Sequence, residues 1–210
     1  MNSAHLLRAL AILVSVCSVC VADAPKTGKS VSNSPTETSS PEQPAATATT
    51  TQSNAPEKAV AFKLEDQDKK AVSFETPPSK VTILLFADRE GAKHLDGWIK
   101  PLKEAYGDKA DMHGIAELSI VPGFAHGIAR TMFRRKFSYS VMLDWDGSVS
   151  KQYAFEAGKV NAYIIDTKGG VRTKIVGDAS AERLEAFHAK MKEVLDEGHQ
   201  TADNANTNNR

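Results

Sequence analysis

The chain has 210 residues, room for one core with extensions, and its 26 Lys and Arg are matched by 26 Asp and Glu. That balance excludes the strongly basic character of a nucleic-acid binder, so no nucleic-acid partner is expected. Solubility must come from mixed surface charge.

At the N-terminus Arg8 precedes an uncharged apolar run, residues 9–22, which ends in small residues before Asp23. This is the pattern of a secretory signal peptide, assigned to residues 1–22; cleavage after Ala24 would set Pro25 beside the scissile bond, so Ala22 is the preferred site. The run falls short of the roughly 18 to 20 apolar residues that cross a bilayer. The expectation is a secreted or periplasmic protein with no membrane span after cleavage. Lipoprotein processing is the alternative, opposed by Val16 and Val19, which stand where a small residue would precede each cysteine. Cys17 and Cys20 are the only cysteines. Their C-x-x-C spacing would suggest redox or metal chemistry in a folded cytosolic domain, but within a signal peptide they read as small apolar residues. A mature chain cut after Ala22 has no thiol, so it has no disulfide and no cysteine nucleophile.

Residues 23–58 are rich in Ser, Thr, Pro, Ala, Asn and Gln, with Val31 as the only large apolar side chain before residue 59. Such a segment buries too little surface to offset its ordering entropy and reads as a disordered linker, with low-complexity Thr-rich stretches open to O-glycosylation in a suitable host. The Asn-rich tail, 198–210, is expected to be loose as well, leaving 59–197 as the folded domain.

Within that domain, residues 62–64 and 71–74 alternate around a polar turn at 65–70, a hairpin signal closed by Pro77 and Pro78. Residues 80–106, KVTILLFADREGAKHLDGWIKPLKEAY, then read as a strand buried on both faces, a polar turn and an amphipathic helix with a kink at Pro101. A shorter strand is predicted at 112–118, interrupted by Gly114, and a helix at 123–136. Val141, Met142 and Leu143 read as a strand edge closed by the turn Asp144-Trp145-Asp146-Gly147. Residues 160–165 and 171–176 flank a glycine-containing turn and predict an antiparallel hairpin. A last helix follows, with Ser180 as its cap and Gly198 just past its end. The order argues for an α/β sandwich: a central mixed sheet with helices on both faces and an N-terminal β-hairpin.

The strand, turn and helix of residues 80–106 resemble the active-site element of the thioredoxin-like superfamily, especially its redoxin branch, which includes peroxiredoxins and periplasmic thiol-disulfide proteins. FKLEDQDKKAVSF looks like the redoxin leading hairpin, LDWDGSVSKQYAF like a D-x-x-G segment ending in Tyr, and YIIDTKGGVR like the penultimate hairpin. The resemblance implies a thioredoxin-like sandwich. It also implies a reactive cysteine in the turn, and DREGAKHLDG has none: aligned by the turn, Glu90 to Lys93 occupy the C-x-x-C window; aligned by the helix end, Ala92 to Leu95 do. Thioredoxins place a cis-proline before the penultimate hairpin, where this chain has Lys159-Val160-Asn161, and the arginine that peroxiredoxins often carry nearby is missing. No catalytic residue carries over. The match in kind is to small cysteine-less periplasmic redoxin-like proteins with an A-x-R-x-x-A-K turn like Ala87 to Lys93.

Beyond His5, the histidines His94, His113, His126, His188 and His199 show no metal-ligand spacing, and Asp144-x-Asp146-Gly147 lacks the further oxygen ligands of a calcium loop, so neither metal nor cofactor is expected. A crevice at the strand ends is expected to survive loss of the cysteine, lined by Asp88, Arg89, Glu90, Lys93 and His94, with Pro122 on one flank and Val160 and Asn161 on the other. Its cations beside a helix N-terminus favour a carboxylate or other small anion. His126, Arg130 and Arg134 recur every four residues and form the alternative, a basic helix face. The functional expectation is an exported, non-catalytic binding or accessory protein for an extracytoplasmic partner; a redoxin-type oxidoreductase acting without its own thiols is the competing reading.

Overall fold

The apolar run at 82–87 becomes the strand around which the domain is assembled. In the computed structural model, which describes residues 55–207, β3 (Thr82–Ala87) is buried at every position. The predicted signal peptide and nearly all of the predicted linker lie outside the described residues. β1 (Phe62–Asp66) and β2 (Ala71–Phe74) form the leading hairpin. α1 (Leu95–Tyr106) follows β3, and β4 (Asp111–Glu117), α2 (His126–Lys136), β5 (Val141–Asp144) and the short α3 (Ser148–Gln152) come next. β6 (Asn161–Ile165), β7 (Val171–Val176) and α4 (Ala181–Thr207) complete the chain. The strands make one seven-stranded sheet in the order β2-β1-β5-β4-β3-β6-β7. β3, β4 and β5 run parallel, while the remaining neighbours pair antiparallel. This is the predicted mixed α/β sandwich with its N-terminal hairpin.

Alternation along β3 divides the core. Ile83 and Leu85 face α1 and α4, where Trp98, Leu102, Phe187 and Met191 are buried with them. The Trp98 indole donates to the Gly177 carbonyl at 3.0 Å, and its ring meets Phe187 edge-on at 5.6 Å. Leu84 and Phe86 face the other way, against Phe62, Phe74, Tyr153 and Tyr163, with Val149 of α3 in the same cluster. The register Ala87↔Ala116↔Leu143 puts α2, through Phe133, on the side of α1 and α4. Each large side chain buried in these layers contributes roughly 1.5 to 3 kcal/mol.

Four expectations are corrected. Val141 to Leu143 are not at an edge: β5 lies between β1 and β4 and is buried throughout. The Asp144 to Gly147 turn leads into α3, which five residues without helical periodicity do not announce. α4 continues through Gly198 to Thr207, since glycine in a helix costs only about 1 kcal/mol relative to Ala. The domain also includes residues before 59: Val171 N–H donates to the Glu57 carbonyl at 3.0 Å, and Lys58 bridges Gly170. That entry point lies by the β6–β7 turn, at the end of the sheet opposite the carboxyl end of β3.

Candidate functional site

Where β3 ends, Asp88 turns its carboxylate back into the backbone. Oδ1 accepts the Gly91 N–H at 2.8 Å, and Oδ2 accepts the Gly158 N–H at 2.6 Å. One side chain thus shapes the turn and ties it to the loop before β6. A short 3-10 turn, Gly91–Lys93, then delivers the chain to α1, with His94 as N-cap residue and no side-chain capping bond. The loop comes so close that a Cβ on Gly91 would lie 2.4 Å from the Lys159 carbonyl oxygen. Only glycine permits that approach.

Of the predicted cleft residues, Asp88 is therefore structural. Glu90 and Lys93 are exposed and pair with each other at 2.5 Å, and the Lys93 hydrogen bond holds the Glu90 carboxyl below its usual range. Arg89 differs: no hydrogen bond is made by its buried Nε, and no ion pair to its guanidinium occurs among the described residues. His94 is exposed. Pro122 is exposed at the end of the neighbouring parallel strand. Val160 and Asn161 are fully buried and cannot line a surface. Asn161 instead holds the loop from within: its Oδ1 accepts the Glu156 N–H at 2.9 Å, and its Nδ2 donates to the carbonyls of Glu156 at 2.9 Å and Lys159 at 3.3 Å.

Lys174, with no sequence signal, proves to be a second support for the loop. Its buried ammonium donates to the Ala154 carbonyl at 2.6 Å and to Glu156 Oε1 at 3.3 Å. Burial lowers its pKa against the pull of Glu156. The bonded Ala154 has φ +51°, a left-handed conformation that costs a non-glycine residue roughly 1 to 2 kcal/mol. Behind the loop, burial pushes the Tyr153 phenol up to about 12 and raises that of Tyr163 as well, so neither ionises near neutral pH.

The alternative basic face is corrected outright. Arg130 is only 9% exposed; it donates to the Asp66 carbonyl and to Glu65 Oε2, both at 2.5 Å, with its guanidinium over Trp145. Arg134 Nε donates to Asp68 Oδ1 at 2.8 Å, and His126 stacks on Trp145 at 3.9 Å. The four-residue spacing locks α2 onto the leading hairpin and the end of β5. Arg130 is thereby withdrawn from the surface, and Arg134 is ion-paired there.

At the end of β5, Asp144 is fully buried; its Oδ2 accepts both the N–H and the hydroxyl of Ser150, while Oδ1 has no donor. Burial raises its pKa despite the Ser150 bonds, and the neighbouring Asp146 carboxylate raises it further. The native state therefore holds this proton more tightly than the unfolded chain. Its contribution to stability falls as pH rises from the unfolded value of 3.8 through the raised native value. Asp144→Asn keeps the acceptor for Ser150 and supplies a permanent donor toward Asp146. Thermal melts at a series of pH values should show a weaker decline in stability from acid to neutral pH for the variant than for wild type. An equal decline in the two proteins would contradict this assignment.

No protein-family model and no curated protein matches the sequence. Solved structures do resemble it. A candidate protein disulfide isomerase from Bacteroides thetaiotaomicron superposes with a TM-score of 0.54 at 20% identity, covering 72% of this chain and 96% of that one. The candidate thiol:disulfide interchange protein DsbE from Chlorobium tepidum gives 0.53 at 20% identity, over 69% and 99%. Peroxidoxin BcpB from Mycobacterium tuberculosis gives 0.50 at 17% identity, over 68% and 99%. The fold is thioredoxin-like. Within this thioredoxin-like fold the turn between β3 and α1 carries Asp88, Arg89, Glu90, Gly91, Ala92, Lys93 and His94, and neither Cys17 nor Cys20 lies among the described residues. At identities this low the likeness concerns the fold; chemistry has to be read from the side chains.

Proposed function

We propose that this chain is an exported thioredoxin-fold protein that binds a partner at the sheet end without thiol chemistry of its own. The observation that carries the reading is the turn 88–94, which has no sulfur at the start of α1 and whose Asp88 carboxylate is occupied by the Gly91 and Gly158 amides. What it offers is Arg89, which has no ion pair among the described residues, His94, and the Lys93–Glu90 pair, beside the N–H groups of a helix start. This is equipment for holding a carboxylate or similar anion on a partner. Export is supported by the N-terminal signal pattern, and no described helix is long and apolar enough to cross a membrane.

Arg89→Ala/Lys93→Ala tests the reading. Breaking an exposed pair costs under about 1 kcal/mol, so the melting temperature should barely move. Partners co-purified with the exported wild-type chain should be depleted at least roughly tenfold, as expected for loss of charged contacts at a binding site. Retention of all of them would contradict it.

A further inference from the structure

We infer that the connection from β4 into α2 is a docking surface for an apolar peptide segment of a partner protein that carries acidic residues at its ends. The inference rests on the binding reading above and shares Arg89 with it, but its apolar centre and Arg135 lie outside that turn. Ile120, Phe124 and Ile128 are 69%, 71% and 49% exposed; among the described residues Val60 and Tyr139 are the only other large apolar side chains classed as exposed. Phe124 lies in the 3-10 turn Gly123–Ala125 that leads into α2, and along α2 Ile128, Thr131 and Arg135 share one side. Apolar surface gathered in this way marks a contact site.

Charge placement selects the occupant. Arg130 and Arg134 are consumed by Glu65, Asp66 and Asp68, whereas Arg135 has no ion pair among the described residues. On the other side, parallel pairing of β3 with β4 through Ala87↔Ala116 sets this connection next to the turn that carries Arg89, whose Nε has no hydrogen bond and which has no ion pair among the described residues. Cations therefore bracket an apolar centre. Two copies of this surface would oppose like charges, which disfavours self-association. An anionic membrane fits less well, because Glu117, whose Oε1 accepts the Ser119 N–H, and the Asp146–Gly147 turn that packs on Ser119 put carboxylates on the same connection. A peptide can place its acids opposite Arg89 and Arg135 and avoid those carboxylates.

The test is fluorescence anisotropy of the full chain with a labelled synthetic peptide, Phe-Leu-Ala-Leu flanked by two Glu at each end, and with its Lys-flanked counterpart. Saturable binding of the Glu peptide is expected, at least roughly tenfold weaker for the Lys peptide, for Phe124→Ser/Ile128→Ser and for Arg135→Glu, as hot-spot truncation produces. The substituted residues are exposed, so an unchanged melting temperature will show that each variant is folded. Absence of saturable binding, or equal binding by the Ser/Ser variant, overturns the inference. So does Phe124-dependent capture by phosphatidylglycerol vesicles, or a Phe124-dependent dimer in sedimentation, when the peptide is not bound. If Arg89→Ala/Lys93→Ala abolishes peptide binding and the Ser/Ser variant does not, the turn remains the binding site and this surface is excluded.

Discussion

Gly91→Ala is expected to lower the melting temperature by roughly 6 to 12 °C, the equivalent of about 3 kcal/mol in a domain of this size. The new methyl would lie 2.4 Å from the Lys159 carbonyl oxygen and 2.6 Å from its carbon, atoms of backbone that cannot swing aside like a side chain. The loop is held by the Asp88–Gly158 hydrogen bond and by Asn161, so turn and loop must separate together. Gly127→Ala is the control: a Cβ there meets nothing within 4 Å, and inside α2 it should stabilise by roughly 0.5 to 1 kcal/mol. Equal melting temperatures for the two variants would mean that the Gly91–Lys159 contact is looser in solution.

Asn161→Ala should cost about 3 kcal/mol. The substitution leaves the Glu156 N–H and the carbonyls of Glu156 and Lys159 without their side-chain partner, at roughly 1 to 3 kcal/mol for each group left unpaired and dry. The effect should be local before it is global. In hydrogen exchange, the amides of Glu156 and Gly158 should lose protection while those of β3 keep it below the unfolding transition. Uniform loss of protection across the sheet would assign Asn161 to the global core rather than to the loop.

The parts of this architecture that lie close together in sequence were legible. An unbroken apolar run can only be a strand covered on both faces or a buried helix, and its length and β-branching chose β3. Alternation around short turns located both hairpins, and helical spacing from Leu95 to Tyr106 located α1. What escaped depends on distant partners. Three apolar residues at 141–143 look alike at an edge and in the middle of a sheet; the interior position of β5 follows from Glu65 and Asp66 pairing with Leu143 and Met142. The spacing of His126, Arg130 and Arg134 was visible, but its meaning depended on the leading hairpin bringing Glu65, Asp66 and Asp68 to the cations. At the candidate site the sequence located Asp88 and Asn161 without revealing that both bond inward. Lys174 was missed because a charged residue on a half-exposed strand ordinarily points to solvent.

The central claim is that the sheet end binds and performs no thiol chemistry. The most direct measurement incubates the exported wild-type chain, and its Cys17→Ser/Cys20→Ser variant, with peroxide and with a dithiol-coupled disulfide substrate. Both proteins should turn over neither substrate above a heat-denatured control; turnover by either one would contradict the claim.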